Sequence, residues 1–146
     1  SQLSHKKIEI GPSDYTNPHE AASFVLATGV DRLAIAIGNI HGINLEEPDL
    51  DLALLGEIKK AVPEVFLVLH AASGIPDSTI TKAIELGIVN IHINTELRNA
   101  YTINLRKSLV DNLNEVAPYK FEASAILAMQ KVVEEKINLF KSNDKV

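Results

Sequence analysis

The stretch VFLVLHAASGIPDSTITKAIELGIVNIHINTELR, residues 65–98, carries two strand patterns with a helix between them and a second helix starting after them. Residues 65–70 and 89–94 are short apolar runs rich in branched side chains, the pattern of strands covered on both faces. Between them, Pro76 and Asp77 open a helix that runs to Leu86 and is closed by Gly87. The second run leads directly into Asn94-Thr95-Glu96, which reads as the start of another helix. Strand, helix and strand in this order form a βαβ unit, and such units build parallel sheets.

The same alternation extends outward in both directions. Residues 33–38 form a third apolar run and residues 7–10 a weaker fourth. The helix predicted over 17–28 opens on Asn17 with Pro18 at its first position and Glu20 three residues after the cap, and Gly29 stops it. Further helices are predicted over 49–61, ending before Pro63, then over 95–113 and 121–140. The prediction is an α/β chain of about four parallel strands with helices plus a C-terminal helix. A repeat of about 25 to 30 residues suits a TIM-type (β/α)8 barrel, which needs about 250 residues in all. The 146 residues supply about half of that, the C-terminal half in the reading developed below. They read as one domain: a leading strand and loop over 1–16, βα units over 17–115, and a terminal helix and tail over 118–146. A small flavodoxin-like open sheet is the structural alternative. A half-barrel leaves both outer strands as unpaired edges, and its inward face, with Phe66 and Val68, has no opposite wall. The expected partner is therefore a missing N-terminal half or a second copy in a homo-oligomer.

Composition narrows the chemistry. Acidic residues outnumber basic ones, 19 to 14, with three Tyr and four Phe and no basic stripe, so nucleic acid is not expected as a partner. There is no cysteine, so a metal must be held by His, Asp or Glu. The apolar runs fall far short of the ~20 residues needed to cross a bilayer, and the polar first residues do not resemble a signal peptide. The expectation is a chain without membrane contact, located in the cytoplasm.

The unusual polar residues fall where parallel α/β folds place their sites, at the C-terminal ends of strands. The run at 33–38 continues into Asn39-Ile40-His41-Gly42. The second ends in His70-Ala71-Ala72-Ser73-Gly74, and the third holds Asn90, His92 and Asn94. Alternation puts Phe66, Val68 and His70 on one face of their strand, and Asn90, His92 and Asn94 on one face of theirs. Polar side chains on a buried strand face are costly unless they are hydrogen-bonded or bind something. A lone histidine at a strand end is usually bonded to a nearby carbonyl. Two at the ends of adjacent strands suggest a shared ligand. Ser73-Gly74 is explained equally by a helix start, and Asn94-Thr95 by a helix cap, but the amides of such turns also bind phosphate. His5 and His19 stand in polar surroundings and are expected to face solvent.

From Pro18 to Arg98 the sequence resembles the class II fructose-bisphosphate and tagatose-bisphosphate aldolases. The resemblance rests on Pro18, Glu20-Ala21, Phe24-Val25 and Thr28-Gly29-Val30-Asp31, then Leu33 through Gly38 and His41-Gly42. It continues through Leu69-His70, Ser73 and Ile75-Pro76-Asp77 to Glu85-Leu86-Gly87 and Asn94-Thr95-Glu96-Leu97-Arg98. It implies that His41 and His70 are two ligands of a catalytic zinc ion (Zn2+), with a monovalent cation as a further candidate cofactor. It implies that Gly42, Ala71 and Ser73 belong to loops that hold phosphate, and that His92, Asn94 and Thr95 form the strand-end segment that contacts substrate. The implied reaction is reversible cleavage of a ketose bisphosphate to dihydroxyacetone phosphate and an aldehyde, in carbohydrate metabolism such as glycolysis. Zinc suits neutral imidazoles, and helix-start amides suit a phosphate dianion.

Four departures accompany the resemblance. The family's acid/base aspartate sits beside a third zinc histidine, and no Asp-His pair occurs in this sequence. Ala71 stands at a glycine position, where a methyl is expected to crowd the phosphate and to resist positive φ. His92 stands where the family has asparagine. Glu9 alone matches a glutamate-rich strand that precedes the Pro18 helix. The competing expectations are an aldolase part, inactive as this chain alone, and a non-catalytic degenerate half-barrel that binds phosphate or metal.

Overall fold

The computed structural model describes residues 11–39, 50–143 and 145. After a 3-10 turn at Pro12–Asp14, the elements are α1 (Pro18–Thr28), β1 (Arg32–Ile35), α2 (Leu52–Ala61), β2 (Phe66–Leu69) and α3 (Asp77–Glu85). They continue with β3 (Ile88–Ile91), α4 (Thr95–Asp111), α5 (Pro118–Phe121) and α6 (Ala123–Leu139). The predicted strand over 7–10 lies outside the described residues.

Local chemistry sets the boundaries. The Asn17 side chain accepts hydrogen bonds from the amides of His19 and Glu20, and Gly29 ends α1 in the left-handed region at φ 67°. The Asp51 side chain caps α2 by accepting from the Leu54 amide at 2.8 Å, so this helix starts at Leu52 rather than at residue 49. The predicted terminal helix is α6, and a separate single turn started by Pro118 precedes it.

The three strands form a parallel sheet in the order β1-β2-β3. Register pairs Arg32 with Phe66 and Ile35 with Leu69, then Leu67 with Ile88 and Leu69 with Ile91. One face carries the core. Ile35, Leu67, Leu69 and Ile88 cluster there with Leu55 and Ile58 of α2 and Ile80 and Ala83 of α3. Each side chain of this size removed from water contributes about 1.5–3 kcal/mol, so this layer dominates stability. The other face is open at one end. Arg32, Ala34 and Phe66 are exposed, and Phe66 keeps 53% of its surface in solvent. Val68 departs from the expectation of a bare face: it is buried. Beside Phe66 lies a shallow depression of about 230 Å³ shared with Arg32, Val89 and Asn90.

α4 and α6 pack against each other. Leu139 and Phe140 at the end of α6 reach back to the core, which anchors this pair to the sheet. Among the described residues, no helix is long and apolar enough to cross a membrane.

Candidate functional site

The β3 register brings the candidate residues together. Val68 pairs with Asn90 across an irregularity between Leu67 and Val68, so Val68 and Asn90 occupy equivalent places on adjacent strands. Two residues further along each chain come His70 and His92. Their rings meet edge-on, with centroids 4.2 Å apart. The ladder continues past the strand ends, with the His92 amide donating to the Leu69 carbonyl at 2.9 Å and the Ala72 amide to the His92 carbonyl at 3.4 Å. Asn39 ties the neighbouring strand end to this one. Its side-chain amide donates to the Ile35 and His70 carbonyls, and its carbonyl oxygen accepts from Ile37 N–H at 2.8 Å.

His70, Ala71, Ser73, His92, Asn94 and Thr95 line one cleft of about 450 Å³ at the C-terminal ends of β2 and β3. These are six of the eight residues singled out from the sequence. The other two, His41 and Gly42, lie outside the described residues. His19 is exposed on α1, as expected.

Ser73 joins the two halves of the cleft. It is buried to within 4% of its surface, and its hydroxyl accepts from the amides of Asn94 and Glu96 at 3.4 and 3.5 Å. Both contacts are at the long end of the hydrogen-bond range, so the α4 start is only loosely satisfied. Asn94 occupies the cap position of α4, but its side chain makes no capping bond. Ser73, from another loop, takes that role, and the exposed Asn94 side chain faces the cleft.

Ala71 corrects one expectation. It adopts φ 57°, inside the left-handed region that its methyl was expected to resist. The turn into α3 needs that conformation, and the neighbouring contacts impose it against a local cost of about 1–2 kcal/mol.

Two features were not assigned a role from sequence. Arg98, one turn into α4, lines the cleft and supplies a fixed positive charge. Glu96 accepts from the Gly74 amide at 2.8 Å through one oxygen, and its other oxygen lies 3.0 Å from the Lys136 ammonium. The Gly74 amide is therefore occupied by a protein carboxylate instead of facing the cleft as a donor. A basic residue at helical spacing after an Asn-Thr helix start is a readable signal for Arg98. No sequence pattern links Glu96 to Lys136, which lies 40 positions later.

The arrangement offers polarised amides, a guanidinium and two imidazoles around one cleft, a set suited to an oxyanion beside a soft-to-borderline cation. Among the described residues, no group of three or more His, Asp or Glu side chains gathers as a complete metal site.

Comparison with known proteins gives a consistent result. Residues 4–145 match the family model for fructose-bisphosphate aldolase class-II. The structure resembles the YdjI aldolase of Escherichia coli K12 with a TM-score of 0.79 and 41% identity, covering 91% of this chain and 48% of that one. It resembles a protein assigned as a fructose-1,6-bisphosphate aldolase from Coccidioides immitis with a TM-score of 0.77 and 30% identity, covering 90% and 45% of the two chains. The fructose-bisphosphate aldolase of Campylobacter jejuni shares the fold at a TM-score of 0.74 and 21% identity, over 87% and 45%. The chain thus spans about half the length of the solved relatives that it matches. With nearly every residue inside the family match, the chain belongs to the class II fructose-bisphosphate aldolase family.

Proposed function

We propose that this chain carries the phosphate-binding and part of the metal-binding half of an aldolase-type lyase, one that reversibly cleaves a ketose bisphosphate to dihydroxyacetone phosphate and an aldehyde. The observation that carries the reading is the convergence of His70, Ser73, His92, Asn94, Thr95 and Arg98 on one cleft at the strand ends. Family membership favours this over a module that only binds phosphate or metal.

In this reading the substrate phosphate lies against the α4 start. The loosely held amides of Asn94 and Glu96, together with the Arg98 guanidinium, supply the positive potential. Asn94 and His92 face the substrate's hydroxyl and carbonyl oxygens. His70 and His41 hold Zn2+, whose chemistry is Lewis-acid polarisation of those oxygens. The proton-transferring aspartate is supplied from outside this sequence, since no Asp-His pair occurs in it. The three-stranded sheet is then the described part of a half-barrel. The exposed Arg32, Phe66 and Val89 mark a face that the other half covers, and the outer edge of β3 pairs with a strand of that half.

Amide NMR of the purified chain with dihydroxyacetone phosphate, with and without zinc, tests the site. Shifts are expected at residues 71–74, 94–95 and 98, and zinc is expected to perturb His70. Shifts elsewhere, or none at millimolar ligand, would refute it. Cleavage of fructose or tagatose bisphosphate is expected only after a complementary N-terminal half is added. Robust turnover by the chain alone would overturn that assignment of the proton-transferring group.

A further inference from the structure

We propose that Lys136, on the C-terminal helix, is the charge-balancing and positioning residue of the anion cleft, acting through Glu96. The proposal rests on the reading of the cleft as a phosphate site. Glu96 is a carboxylate at the start of α4, adjacent to Thr95 of the cleft wall, and only partly exposed. An unbalanced negative charge there opposes a phosphate dianion. Two groups restrain it. The Gly74 amide holds one oxygen at 2.8 Å, and Lys136 sits 3.0 Å from the other.

The position of Lys136 is set by packing. Its neighbours on α6, Val133, Ile137 and Phe140, lie with Ile91, Ile93 and Leu97 around a small apolar depression of about 210 Å³. That contact fixes the end of α6 beside β3 and the first turn of α4, and the ammonium then reaches Glu96 with 19% of its side chain exposed. Asp77, at the first turn of α3, lies 3.6 Å from the same ammonium. Lys136 thereby links the starts of α3 and α4 through one charge. The loop at residues 71–74 is held to α4 by the same chain of contacts, Gly74 to Glu96 to Lys136. With Lys136 present, one ammonium stands against both carboxylates, while Arg98 lines the cleft itself. Without it, both carboxylates lose that partner.

A tie that is only structural and a charge-balancing role predict opposite results for one variant. Glu96→Gln keeps an oxygen for the Gly74 amide but removes the negative charge, leaving Lys136 with only the more distant, exposed Asp77 carboxylate opposite it. Phosphate affinity should rise several-fold. Lys136→Met keeps the apolar stem of the side chain and removes the ammonium. Affinity should fall about tenfold, as expected for one unit charge acting on a dianion at the effective dielectric of a protein surface. The double variant, Glu96→Gln with Lys136→Met, should recover most of that loss, and Lys136→Arg should stay near the wild type.

The measurement is the dissociation constant of inorganic phosphate, read from amide shifts of residues 71–74 and 94–98 in the whole chain, with spectral dispersion reporting folding. If Lys136→Met does not fold, Glu96→Gln alone decides. Unchanged or weaker binding by Glu96→Gln, or a double variant no better than Lys136→Met, would overturn the proposal. A wild-type chain that binds no phosphate at the cleft would overturn the functional reading and this proposal with it. Wild-type binding with an unaffected Lys136→Met variant would overturn this proposal and leave the functional reading standing.

Discussion

Ala71→Gly should stabilise the protein. Ala71 sits at φ 57° in the turn that leaves β2, a conformation that costs an L-residue with a Cβ about 1–2 kcal/mol. Glycine removes that cost but gives the unfolded chain more freedom, worth about 0.5–1 kcal/mol in the other direction. The net expectation is a gain of about 0.5–1 kcal/mol, which for a chain of this size raises Tm by about 1–4 °C. Urea denaturation and thermal melts of the two proteins under identical buffer measure it. Ala71→Val supplies the converse, because a β-branched side chain is tolerated far less in the left-handed region; it should destabilise by more than about 1 kcal/mol. A loss of stability in the glycine variant, or a valine variant as stable as wild type, would refute the assignment of strain to this residue. Ala71 also lines the cleft, so the same glycine variant removes a methyl from its wall. Phosphate binding by this variant should be at least as tight as wild type, and weaker binding would show that the methyl is part of the ligand contact.

Ser73→Ala should cost about 0.5–1 kcal/mol in urea unfolding and loosen phosphate binding, because it strips the start of α4 of an acceptor that bonds at long range; a variant equal to wild type in both would sink the capping role. Asn39→Ala deletes three side-chain bonds, two within the end of β1 and one across to the His70 carbonyl after β2, and should cost about 2 kcal/mol, with the largest loss of amide protection expected at Ile37. The Glu115 carboxyl is held below its ordinary value of 4.5, chiefly by the Ala117 amide and then by Lys120. Its folded-state value lies below its unfolded one, so its stabilisation is full above pH 4.5 and is lost as pH falls through the folded value. The stability gap between wild type and Glu115→Gln should therefore narrow below pH 4.5, and a gap that stays constant with pH would refute the effect.

Much of the fold was legible because its signals are local. Asn17, Pro18 and Gly29 delimit α1 by caps that act within a few residues, and the structure realises each of them. Strand existence was equally legible at 33–38, 65–70 and 89–94. Strand phase at the third was harder to read, because the irregular register against β2 leaves Val89 59% exposed between two paired residues. An apolar run gives no sign of such a slip, since Val89 looks as buried in sequence as its neighbours. The start of α2 was predicted early because residues 49–51 continue the polar-apolar pattern; the side chain of Asp51 decides the boundary.

The candidate site divides along the same line. His70, Ser73, His92 and Asn94 could be chosen because polar residues at the ends of apolar strands are conspicuous, and parallel strands bring their C-terminal ends together without further information. The direction of each donor was not legible. Ser73 and Asn94 both read as caps of their own helices, yet Ser73 serves the α4 start from a different loop, and the Asn94 side chain is left for the cleft. That exchange depends on how closely the 71–74 turn approaches α4, a distance set by the left-handed backbone at Ala71 and by the Glu96 bond to Gly74. Glu96 is in turn fixed by Lys136, which reaches it only because α6 returns to the sheet. The residue types around the anion cleft are thus written in short stretches of sequence. Their satisfaction, and with it the charge that the cleft presents to a ligand, is decided by contacts between segments that nothing local connects.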